Sequence, residues 1–367
     1  MGSAGVDYLA SIASFPEPDA KLRTDAFEVQ GGGNAGNALT AMARLGVRAA
    51  ILTKLSDDGA GKAILDEFAG DGVDTSAVVV EPGKSSPFTY IIVDRAGSTR
   101  TCIHTPGPEF GVEEMPRDAI AKLLEGASLV YFDGRLTEVA LEVAAVAQAM
   151  GVPLLVEGER LRDNLDKLLL MADVVVTSTG YPAAATAEAT LETAMVKMAA
   201  SHPRAKALIT TLGSRGAVMV QRVDDPTEVT DARRDTLAAV LAALEAKAAE
   251  AAPAKHVESI SDDVPMPNEP VTSDVVFLTD AGDDDAEALG PVRVTFAPAA
   301  AMAKEAVADT TGAGDSFIGS VAYGMAAKME LAKAMRLGAY VAARKCTQLG
   351  ARPGLPRRDV VPAELLE

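Results

Sequence analysis

The chain has 367 residues, of which 48% are apolar, and its 34 Lys+Arg and 52 Asp+Glu side chains give a net charge of −18. Such an acidic surface repels nucleic acid and anionic lipid, which excludes both as partners. No stretch approaches the ~18 uninterrupted apolar residues of a membrane span. Two cysteines and three scattered histidines offer neither a disulfide framework nor a zinc site. We therefore expect a soluble intracellular protein with a substantial core.

Short apolar runs alternate with amphipathic segments of helical length along most of the chain. The apolar runs are Ala49–Lys54, Leu129–Phe132, Pro153–Val156, Asp173–Thr177 and Ala207–Thr211, and the helical segments include Ala60–Ala69, Glu138–Met150 and Thr190–Ala200. This alternation predicts an α/β fold with a doubly wound, mostly parallel sheet flanked by helices.

Two segments alternate apolar and polar side chains instead. Ala26–Gln30 and Ser86–Thr105 follow this pattern, which predicts a small, half-exposed antiparallel β lid with strands within about residues 7–30 and 86–105. A lid over one edge of the domain places the site between the lid and the carboxyl ends of the parallel strands. The open edges of the lid could pair in a homodimer, or charges such as Asp94 and Arg100 could block them and leave a monomer.

An acidic insert, residues 224–290, interrupts the α/β pattern with 17 acidic and 4 basic side chains and five prolines. Within it, Thr236–Ala252 predicts a helix because Ala, Leu, Glu and Lys are strong helix formers. The remainder, including Asp283-Asp284-Asp285, is typical of solvated loop or partial disorder. We interpret it as a surface insertion in one domain that spans residues 1–367; a binding or regulatory arm is the alternative.

The first glycine-rich segment is Gly31-Gly32-Gly33-Asn34-Ala35-Gly36-Asn37, which leads into a helical run. It matches the GxGxxG pattern of a dinucleotide site, but the preceding strand alternates instead of being buried, which disfavours an oxidoreductase. A second interpretation is that the glycines let the backbone approach a polar ligand while Asn34 and Asn37 hydrogen-bond it. A purely structural hairpin is the third.

The second segment is Asp309-Thr310-Thr311-Gly312-Ala313-Gly314-Asp315. Apolar residues at helical spacing follow it, so a helix begins near Gly314. Unpaired N–H groups and the positive end of the helix dipole make an anion site there, suited to a phosphoryl group in transfer. Asp315 either stabilises this helix by ~0.3–1 kcal/mol or accepts a proton from an attacking hydroxyl.

The combination of GGxxxN near the start and DTTGAGD near the end, in an α/β chain with a β lid, resembles the ribokinase-like (PfkB) family of carbohydrate kinases. Gly32–Asn37, Asp133-Gly134-Arg135 and Arg344-Lys345-Cys346 are most similar to segments of its ketohexokinase-type members of plants and algae. The resemblance covers nearly the whole chain except the insert. It implies an ATP-dependent transferase that phosphorylates a hydroxyl of a small carbohydrate, with ketoses among the candidates, and that uses Mg²⁺ and, by analogy, K⁺.

The resemblance also implies roles for individual residues. Asp315 is the expected general base, and the anion hole consists of Gly312, Ala313 and Gly314. The sugar-binding positions are Asp7, Gly33, Asn34, Asn37, Asp133 and Arg135. The nucleotide-binding positions are Thr211, Gly213, Gly216, Thr311, Cys346 and Gly350, although Cys346 is as well explained as a small core residue. A monovalent cation is expected near Asp309, Thr311 and Gly354.

Two departures from the family pattern stand out. Ser178-Thr179-Gly180-Tyr181 lies where many members have an NxxE motif that organises magnesium and phosphate, which leaves the metal arrangement open. Members also have an apolar strand before the glycine that precedes Asp7, where this chain begins Met1-Gly2-Ser3, so we expect the sheet to lack most of a strand. An upstream transit peptide plus this strand would place the protein in the chloroplast stroma; otherwise it is cytoplasmic.

Three functions remain open at this point. The first is a sugar kinase. The second is a nucleoside kinase of the same fold, for which the lid offers only Phe88 and Tyr90 as aromatic cover of a base. The third is a non-catalytic scaffold that uses the acidic insert, which the intact Gly312, Gly314 and Asp315 disfavour.

Overall fold

The computed structural model describes residues 1–97, 99–229, 233–250, 264–280 and 282–367. The strands are β1 Gly5–Ile12, β2 Ala26–Gly32, β3 Lys54–Ser56, β4 Val79–Glu81, β5 Phe88–Asp94, β6 Thr99–Thr105, β7 Val130–Phe132, β8 Leu154–Gly158, β9 Val174–Thr177, β10 Ala207–Thr211, β11 Gly216–Arg222, β12 Arg233–Asp235, β13 Val271–Thr272, β14 Val276–Leu278 and β15 Val292–Pro298. The helices are α1 Asn34–Arg44, α2 Gly59–Gly70, α3 Arg117–Leu123, α4 Thr137–Ala149, α5 Leu165–Leu169, α6 Tyr181–Thr186, α7 Leu191–Ser201, α8 Leu237–Glu250, α9 Asp283–Leu289, α10 Ala313–Ala326 and α11 Leu331–Cys346.

The main sheet confirms the predicted architecture. Its strand order is β12-β14-β15-β11-β10-β9-β8-β7, with β13 added beside β15, and β7 to β10 run parallel. Successive residues of these strands enter cores on opposite faces: Leu154 and Val156 pack with helix α4, whereas Leu155 belongs to the core that contains Val321 of α10. Because both faces are covered, these strands are apolar up to their carboxyl ends, where polar residues such as Glu157 and Thr177 follow.

The lid is a four-stranded sheet of order β2-β1-β5-β6. The pairs β1–β2 and β5–β6 are antiparallel, but the central strands β1 and β5 run parallel, so the predicted all-antiparallel lid is wrong. The reason is connectivity, because the chain returns through the core between its two lid hairpins, and the returning strand enters in the direction of β1.

A parallel pair, β3 and β4, lies beside the main sheet. The apolar run Ala49–Lys54 was expected as a full strand, yet only its end is strand, and Ala50 makes an isolated bridge to Asp74. A strand needs partners along its edges, and this run lies next to an open groove on one side.

The described part of the insert is more ordered than its composition suggests. Helix α8 begins and ends close to the predicted helix and buries Leu237, Val240 and Leu241, and β13 pairs with β15. Residues 230–232, 251–263 and 281 lie outside the described residues. The loop predicted at Asp283-Asp284-Asp285 is wrong, because these residues begin α9, where the carboxylates of Asp284 and Asp285 stabilise the helix N-terminus.

Among the helices of the described ranges, none combines the length and apolar content needed to cross a bilayer.

Candidate active site

A cleft of about 910 Å³ lies between the inner face of the lid and the carboxyl ends of β8 to β10. The lid contributes Asp7 from β1 and Thr89 and Ile91 from β5 to its wall, and α10 points its first turn into the cleft with Gly314 and Asp315. The two glycine-rich segments, far apart in the chain, therefore meet in one site, as the predicted position between lid and strand ends requires.

Asp315 lies in the first turn of α10. Gly312, just before the helix, has φ 75°, and a Cβ at this position would lie 2.7 Å from Cβ of Ala351, so both conformation and space demand glycine. The amide of Ala313 donates to the carbonyl of Thr310 at 3.2 Å, whereas the amides of Gly314 and Asp315 have no carbonyl partner within the helix and are available to an anion. Desolvation raises the pKa of Asp315 to about 6, despite the opposing hydrogen bond from Asn37.

Asn37 faces Asp315 rather than only a ligand. Its Nδ2 donates to Oδ2 of Asp315 at 2.7 Å, and its Oδ1 accepts from Nε of Arg352 at 3.1 Å, which fixes the orientation of the amide. Arg352 is 1% exposed, donates to the carbonyl of Gly32 and pairs with Glu67 at 3.2 Å. A chain of contacts thus runs from Glu67 through the buried Arg352 and Asn37 to the carboxylate of Asp315.

The opposite end of the cleft carries further buried carboxylates. Asp7 is 6% exposed, and desolvation raises its pKa to about 6. Glu157, at the end of β8, accepts from the hydroxyl of Tyr131 at 2.6 Å and from Nδ2 of Asn34 at 3.3 Å. Burial, with a second contribution from the charge of Asp315, raises the pKa of Glu157 well above its usual range, so this side chain can donate as well as accept.

Gly33 lines the same end of the cleft, and its backbone has φ 86°. A Cβ at this position would lie 2.6 Å from the carbonyl oxygen of Ser3. Glycine therefore brings the start of α1 against the chain terminus, and Asn34 follows it into the cleft.

Asp133 does not reach the cleft surface, contrary to its predicted role in sugar binding. It is 1% exposed, and its Oδ2 accepts from the amide and hydroxyl of Ser3 and from the amide of Ala35. Its Oδ1 accepts from the amide of Arg135. Because its oxygens are occupied by the chain, Asp133 holds the cleft wall together instead of binding a ligand.

Arginines gather on the wall after β7 and β8. Nη2 of Arg135 and Nη2 of Arg162 lie 3.4 and 3.3 Å from Oε2 of Glu159, and Arg160 lies 3.6 Å from the other oxygen of that carboxylate. Nε of Arg135 is buried without a hydrogen-bond partner among the described residues. Desolvation and the neighbouring Arg135 lower the pKa of Arg162. Three guanidinium groups around one carboxylate leave an excess of positive charge for an anionic ligand.

The residues predicted for the nucleotide separate into two groups. Thr211 and Thr311 line the cleft, and Gly213 and Gly216 belong to the turn between β10 and β11. Cys346 and Gly350 lie behind the wall: the carbonyl of Cys346 accepts from the amide of Ala308, and the amide of Gly350 donates to Asp309. For these two positions the structure supports packing of the loop before α10 rather than direct contact with a ligand.

The predicted monovalent-cation residues do not form a vacant cage. Nζ of Lys345, which is fully buried, donates to the carbonyl of Asp309 at 2.5 Å. The Asp309 carboxylate accepts from the amide and hydroxyl of Thr311 and from Gly350. Gly354 lies against the backbone carbonyls of Arg344 and Lys345. With these oxygens already paired to donors of the chain, the arrangement does not fit a bound K⁺, and no step is assigned to one.

For the described residues, no three His, Cys, Asp or Glu side chains are grouped as ligands of a metal ion. Magnesium in nucleotide sites needs only one or two carboxylates, because phosphate oxygens and waters complete its shell. Glu159 on the cleft wall is already paired with Arg135, Arg160 and Arg162, so it does not fit a magnesium ligand.

Four residues of the site were missed by sequence reasoning: Glu157, Glu159, Arg162 and Arg352. Glu157 and Glu159 follow directly on the apolar run of β8, and a carboxylate at the end of a buried strand was the available signal. Arg352 gave no such signal, because an arginine in a polar C-terminal segment is usually exposed.

Comparisons with known proteins identify the family and the fold of the chain. The pfkB family carbohydrate kinase model matches residues 2–243 and 236–358, so the chain belongs to the pfkB family of carbohydrate kinases. Among curated relatives, it is 24% identical to a ribokinase of Haemophilus influenzae over 48% of this chain and 57% of that protein. It is 25% identical to ketohexokinase of Mus musculus over 48% and 62%. The match thus spans little more than half the length of these relatives.

Solved structures share the fold over almost the whole chain. A putative ribokinase from Agrobacterium tumefaciens has a TM-score of 0.71 and 26% identity, with 98% of this chain and 93% of that chain covered. The Arabidopsis thaliana ribokinase complexed with ribose and ATP has a TM-score of 0.68 and 17% identity, with 99% and 95% covered. A Burkholderia thailandensis nucleoside kinase in complex with inosine has a TM-score of 0.65 and 18% identity, with 99% of this chain and 95% of that chain covered.

Proposed function

We propose that the protein is an ATP-dependent kinase that phosphorylates a hydroxyl of a small carbohydrate, with Asp315 as general base. The observation that carries this proposal is a desolvated carboxylate with a pKa of about 6 in the first turn of a glycine-opened helix. At neutral pH such a carboxylate is ionised yet more basic than an ordinary Asp, which suits a proton acceptor. The adjacent amides suit the anion that is transferred.

The sugar would bind at the end of the cleft that Asp7, Asn34 and Glu157 line. Asp7 accepts hydrogen bonds when ionised, the Asn34 amide donates and accepts, and protonated Glu157 donates. A sugar hydroxyl therefore finds a partner whether it donates or accepts a hydrogen bond. Fixing several hydroxyls presents one of them to Asp315, which reduces the entropic part of the barrier. The lid supplies Ile91 and Thr89 above this pocket and limits the access of water.

The reaction then needs three contributions from the chain. The carboxylate of Asp315 takes the proton of the attacking hydroxyl while a new O–P bond forms and the bond from phosphorus to the ADP oxygen breaks. The amides of Gly312 and Gly314 and the guanidinium groups of Arg135 and Arg162 stabilise the charge on the transferred group. Mg²⁺ that enters with the nucleotide would neutralise part of the phosphate charge.

A sugar fits the inner face of the lid better than a nucleoside. Thr89 and Ile91 line the cleft, and the alternation of strand β5 therefore turns Phe88 and Tyr90 to its other face. The aromatic cover considered for a purine is thus absent from the described cleft wall. We favour a ketose among sugars because of the local resemblance to ketohexokinase-type members; nucleoside phosphorylation is the alternative.

The outer face of the lid favours the homodimer over the monomer. Phe27, Val29, Tyr90 and Ile103 are each 51–57% exposed, and cross-strand pairing through Tyr8 joins three of them in one apolar stripe. An apolar stripe on the face that does not serve the site is typical of a protein interface. We propose that a second copy of this chain covers it. Light scattering should show a dimer that Tyr90→Asp dissociates; a monomeric wild type would contradict this proposal.

ADP release in the presence of Mg²⁺, measured across a panel of ketoses, aldoses and nucleosides, tests the proposed function. We expect one sugar to raise turnover well above the rate without acceptor. Stimulation by a nucleoside would replace the substrate class, and ATP binding without stimulation by any compound would favour the scaffold.

A further inference from the structure

The inner face of the lid carries a row of polar side chains across three strands. Asp7 of β1 lies opposite Thr89 of β5, and Thr89 lies opposite His104 of β6. All three side chains line the cleft. The proposed sugar site contains Asp7 and Thr89, and the row extends this site to His104 at the edge of the lid.

Hydrogen bonds connect the members of the row. Nδ1 of His104 lies 3.2 Å from Oγ1 of Thr89. Desolvation raises the pKa of Asp7 to about 6, and the charge of Arg352 and a hydrogen bond from Thr89 act against this rise. A hydrogen bond that lowers the pKa of a carboxyl group favours its ionised form, so the Thr89 hydroxyl donates its proton to Asp7.

The direction of this bond determines which nitrogen of His104 carries the proton. A hydroxyl has one proton and two lone pairs, so the Thr89 oxygen that donates to Asp7 can only accept from the imidazole. Nδ1 of His104 is therefore the donor. In a neutral ring with this tautomer, Nε2 is a hydrogen-bond acceptor.

The surroundings keep the ring of His104 neutral. Desolvation lowers its pKa from the ordinary 6.5, and the charges of Arg135 and Arg162 lower it further. At neutral pH the ring therefore has a free lone pair on Nε2.

This lone pair is accessible to a ligand. The side chain of His104 is exposed and lines the cleft, and within the described ranges of the chain no group hydrogen-bonds Nε2. The ligand must donate a proton to an acceptor. Ionised phosphate has only acceptor oxygens and does not match, whereas a sugar hydroxyl does.

We propose that His104 is a specificity-determining residue that accepts a hydrogen bond through Nε2 from a hydroxyl of the acceptor sugar, with Thr89 as the positioning residue that orients the ring. This inference rests on the proposed function, because it assigns a contact to the sugar of that reaction. Strands β1 and β6 are two strand spacings apart, about 10 Å. The lid thus accepts from two separate hydroxyls of one sugar, at Asp7 and at His104, and selects acceptors that carry both.

The tautomer is tested in the free protein by nuclear magnetic resonance of isotope-labelled imidazole nitrogens. We expect a protonated Nδ1 and an unprotonated Nε2 in His104 at neutral pH. Thr89→Val keeps the shape of the side chain but cannot accept, so the ring should become a mixture of tautomers, and Thr89→Ser should restore the wild-type spectrum. A wild-type ring with its proton on Nε2 would overturn the proposal.

The sugar contact is tested by the kinetics of His104→Phe, with His104→Gln as the conservative variant. The acceptors are the sugar of the panel that raises ADP release most and each of its singly deoxygenated forms. In the wild type we expect removal of one hydroxyl to lower kcat/KM by about 3- to 10-fold, the effect of one neutral hydrogen bond. His104→Phe should show the same loss with the complete sugar and should no longer distinguish that deoxy form from it.

Two further results are expected from the same assays. His104→Gln should keep part of the discrimination, because its amide oxygen can accept a hydrogen bond. The KM for ATP should stay constant in both variants. The control is His202→Gln, since the ring of His202 contacts the carbonyl of Met198 outside the cleft, and it should behave as the wild type.

The failure of this inference can be told apart from failure of the proposed function. Discrimination among the deoxy sugars that persists in His104→Phe would overturn the role of His104 alone, as would a change confined to the KM for ATP. A wild-type protein whose ADP release no sugar stimulates would instead contradict the proposed function, and the role of His104 with it.

Discussion

Asn37 Nδ2 donates to Asp315 Oδ2 at 2.7 Å, although the two residues lie 278 positions apart in the chain. The contact opposes the desolvation that raises the pKa of Asp315, because a hydrogen bond to the carboxylate favours its ionised form. The basicity of the candidate base is therefore set jointly by the two glycine-rich segments that define the site.

This relationship predicts the pH dependence of turnover. Asp315 must be ionised to accept a proton, so kcat/KM should fall below a pKa of about 6. Asn37→Ala removes a hydrogen bond to the ionised form and should move this acid limb to higher pH. The measurement is kcat/KM from about pH 5 to about pH 9. Asn34 does not contact Asp315, so Asn34→Ala should leave the acid limb of the pH profile in place. An acid limb that does not move in Asn37→Ala would contradict this role of Asn37.

The same raised pKa predicts that ionised Asp315 lowers the free energy of unfolding. Because the folded-state pKa of about 6 exceeds the ordinary 3.8, the folded state binds the proton more tightly. Stability therefore falls as pH rises between these values, by up to about 3 kcal/mol, and the loss persists above pH 6. Asp315→Asn should raise the free energy of unfolding at pH 8, with a difference that vanishes toward pH 4. Urea unfolding at both pH values measures it, and a destabilised variant at pH 8 would argue against this explanation.

Arg352 should be the most sensitive arginine of the core. It is 1% exposed and holds Glu67, Asn37 and the carbonyl of Gly32, with its guanidinium 4.8 Å from the ring centroid of Phe68. Arg352→Met leaves a carboxylate and an amide without their partner, so we expect a loss of about 3–5 kcal/mol in the free energy of unfolding.

The matched control for this variant is Arg357→Met. Arg357 also pairs with a carboxylate, Asp71 at 3.3 Å, but its side chain is 61% exposed. An exposed pair contributes about 0–1 kcal/mol. Equal losses in the two variants would show that Arg352 is not a structural centre.

Arg162 should matter for phosphate rather than for folding. Its side chain is 28% exposed on the cleft wall beside Arg135, where the arginines carry more positive charge than the single carboxylate of Glu159 can neutralise. Arg162→Gln removes charge-assisted hydrogen bonds worth about 1.5–3 kcal/mol, so kcat/KM for ATP should fall about 10- to 100-fold. Arg117→Gln, in which the lost side chain is 71% exposed and pairs with Glu142, is the control and should keep full activity. An unchanged kcat/KM for ATP in Arg162→Gln would show that Arg162 does not contact the phosphate.

Local signals in the sequence predicted the parts of the fold that local physics controls. The helix start after Gly312 and the parallel strands were identified because glycine conformation and apolar runs act over a few residues. The parallel pairing of β1 with β5 could not be predicted, since it depends on the direction in which the chain returns to the lid through the core. Within the insert, the helix at Thr236–Ala252 was predicted from its composition, but the packing of Leu237 and Leu241 of α8 against the sheet was not.

The site shows the same division. Asp315 and Asn34 were predicted from motifs and line the cleft. Asp133 was assigned to the sugar but is consumed by contacts with Ser3 and Ala35, 130 and 98 residues away. Arg352 was not identified at all, because its partners, Asn37 and Glu67, are brought to it only by the tertiary fold.

The most direct test of the central claim is single-turnover phosphoryl transfer by wild type and Asp315→Asn with the acceptor that the panel identifies. We expect the rate to fall by ~10²–10⁴ in the variant, the usual contribution of a general base. Binding of the sugar, measured by calorimetry, should stay within about threefold, because Asp7, Asn34 and Glu157 are unchanged. An Asp315→Asn enzyme that transfers phosphate at the wild-type rate would contradict the assignment of Asp315 as the base.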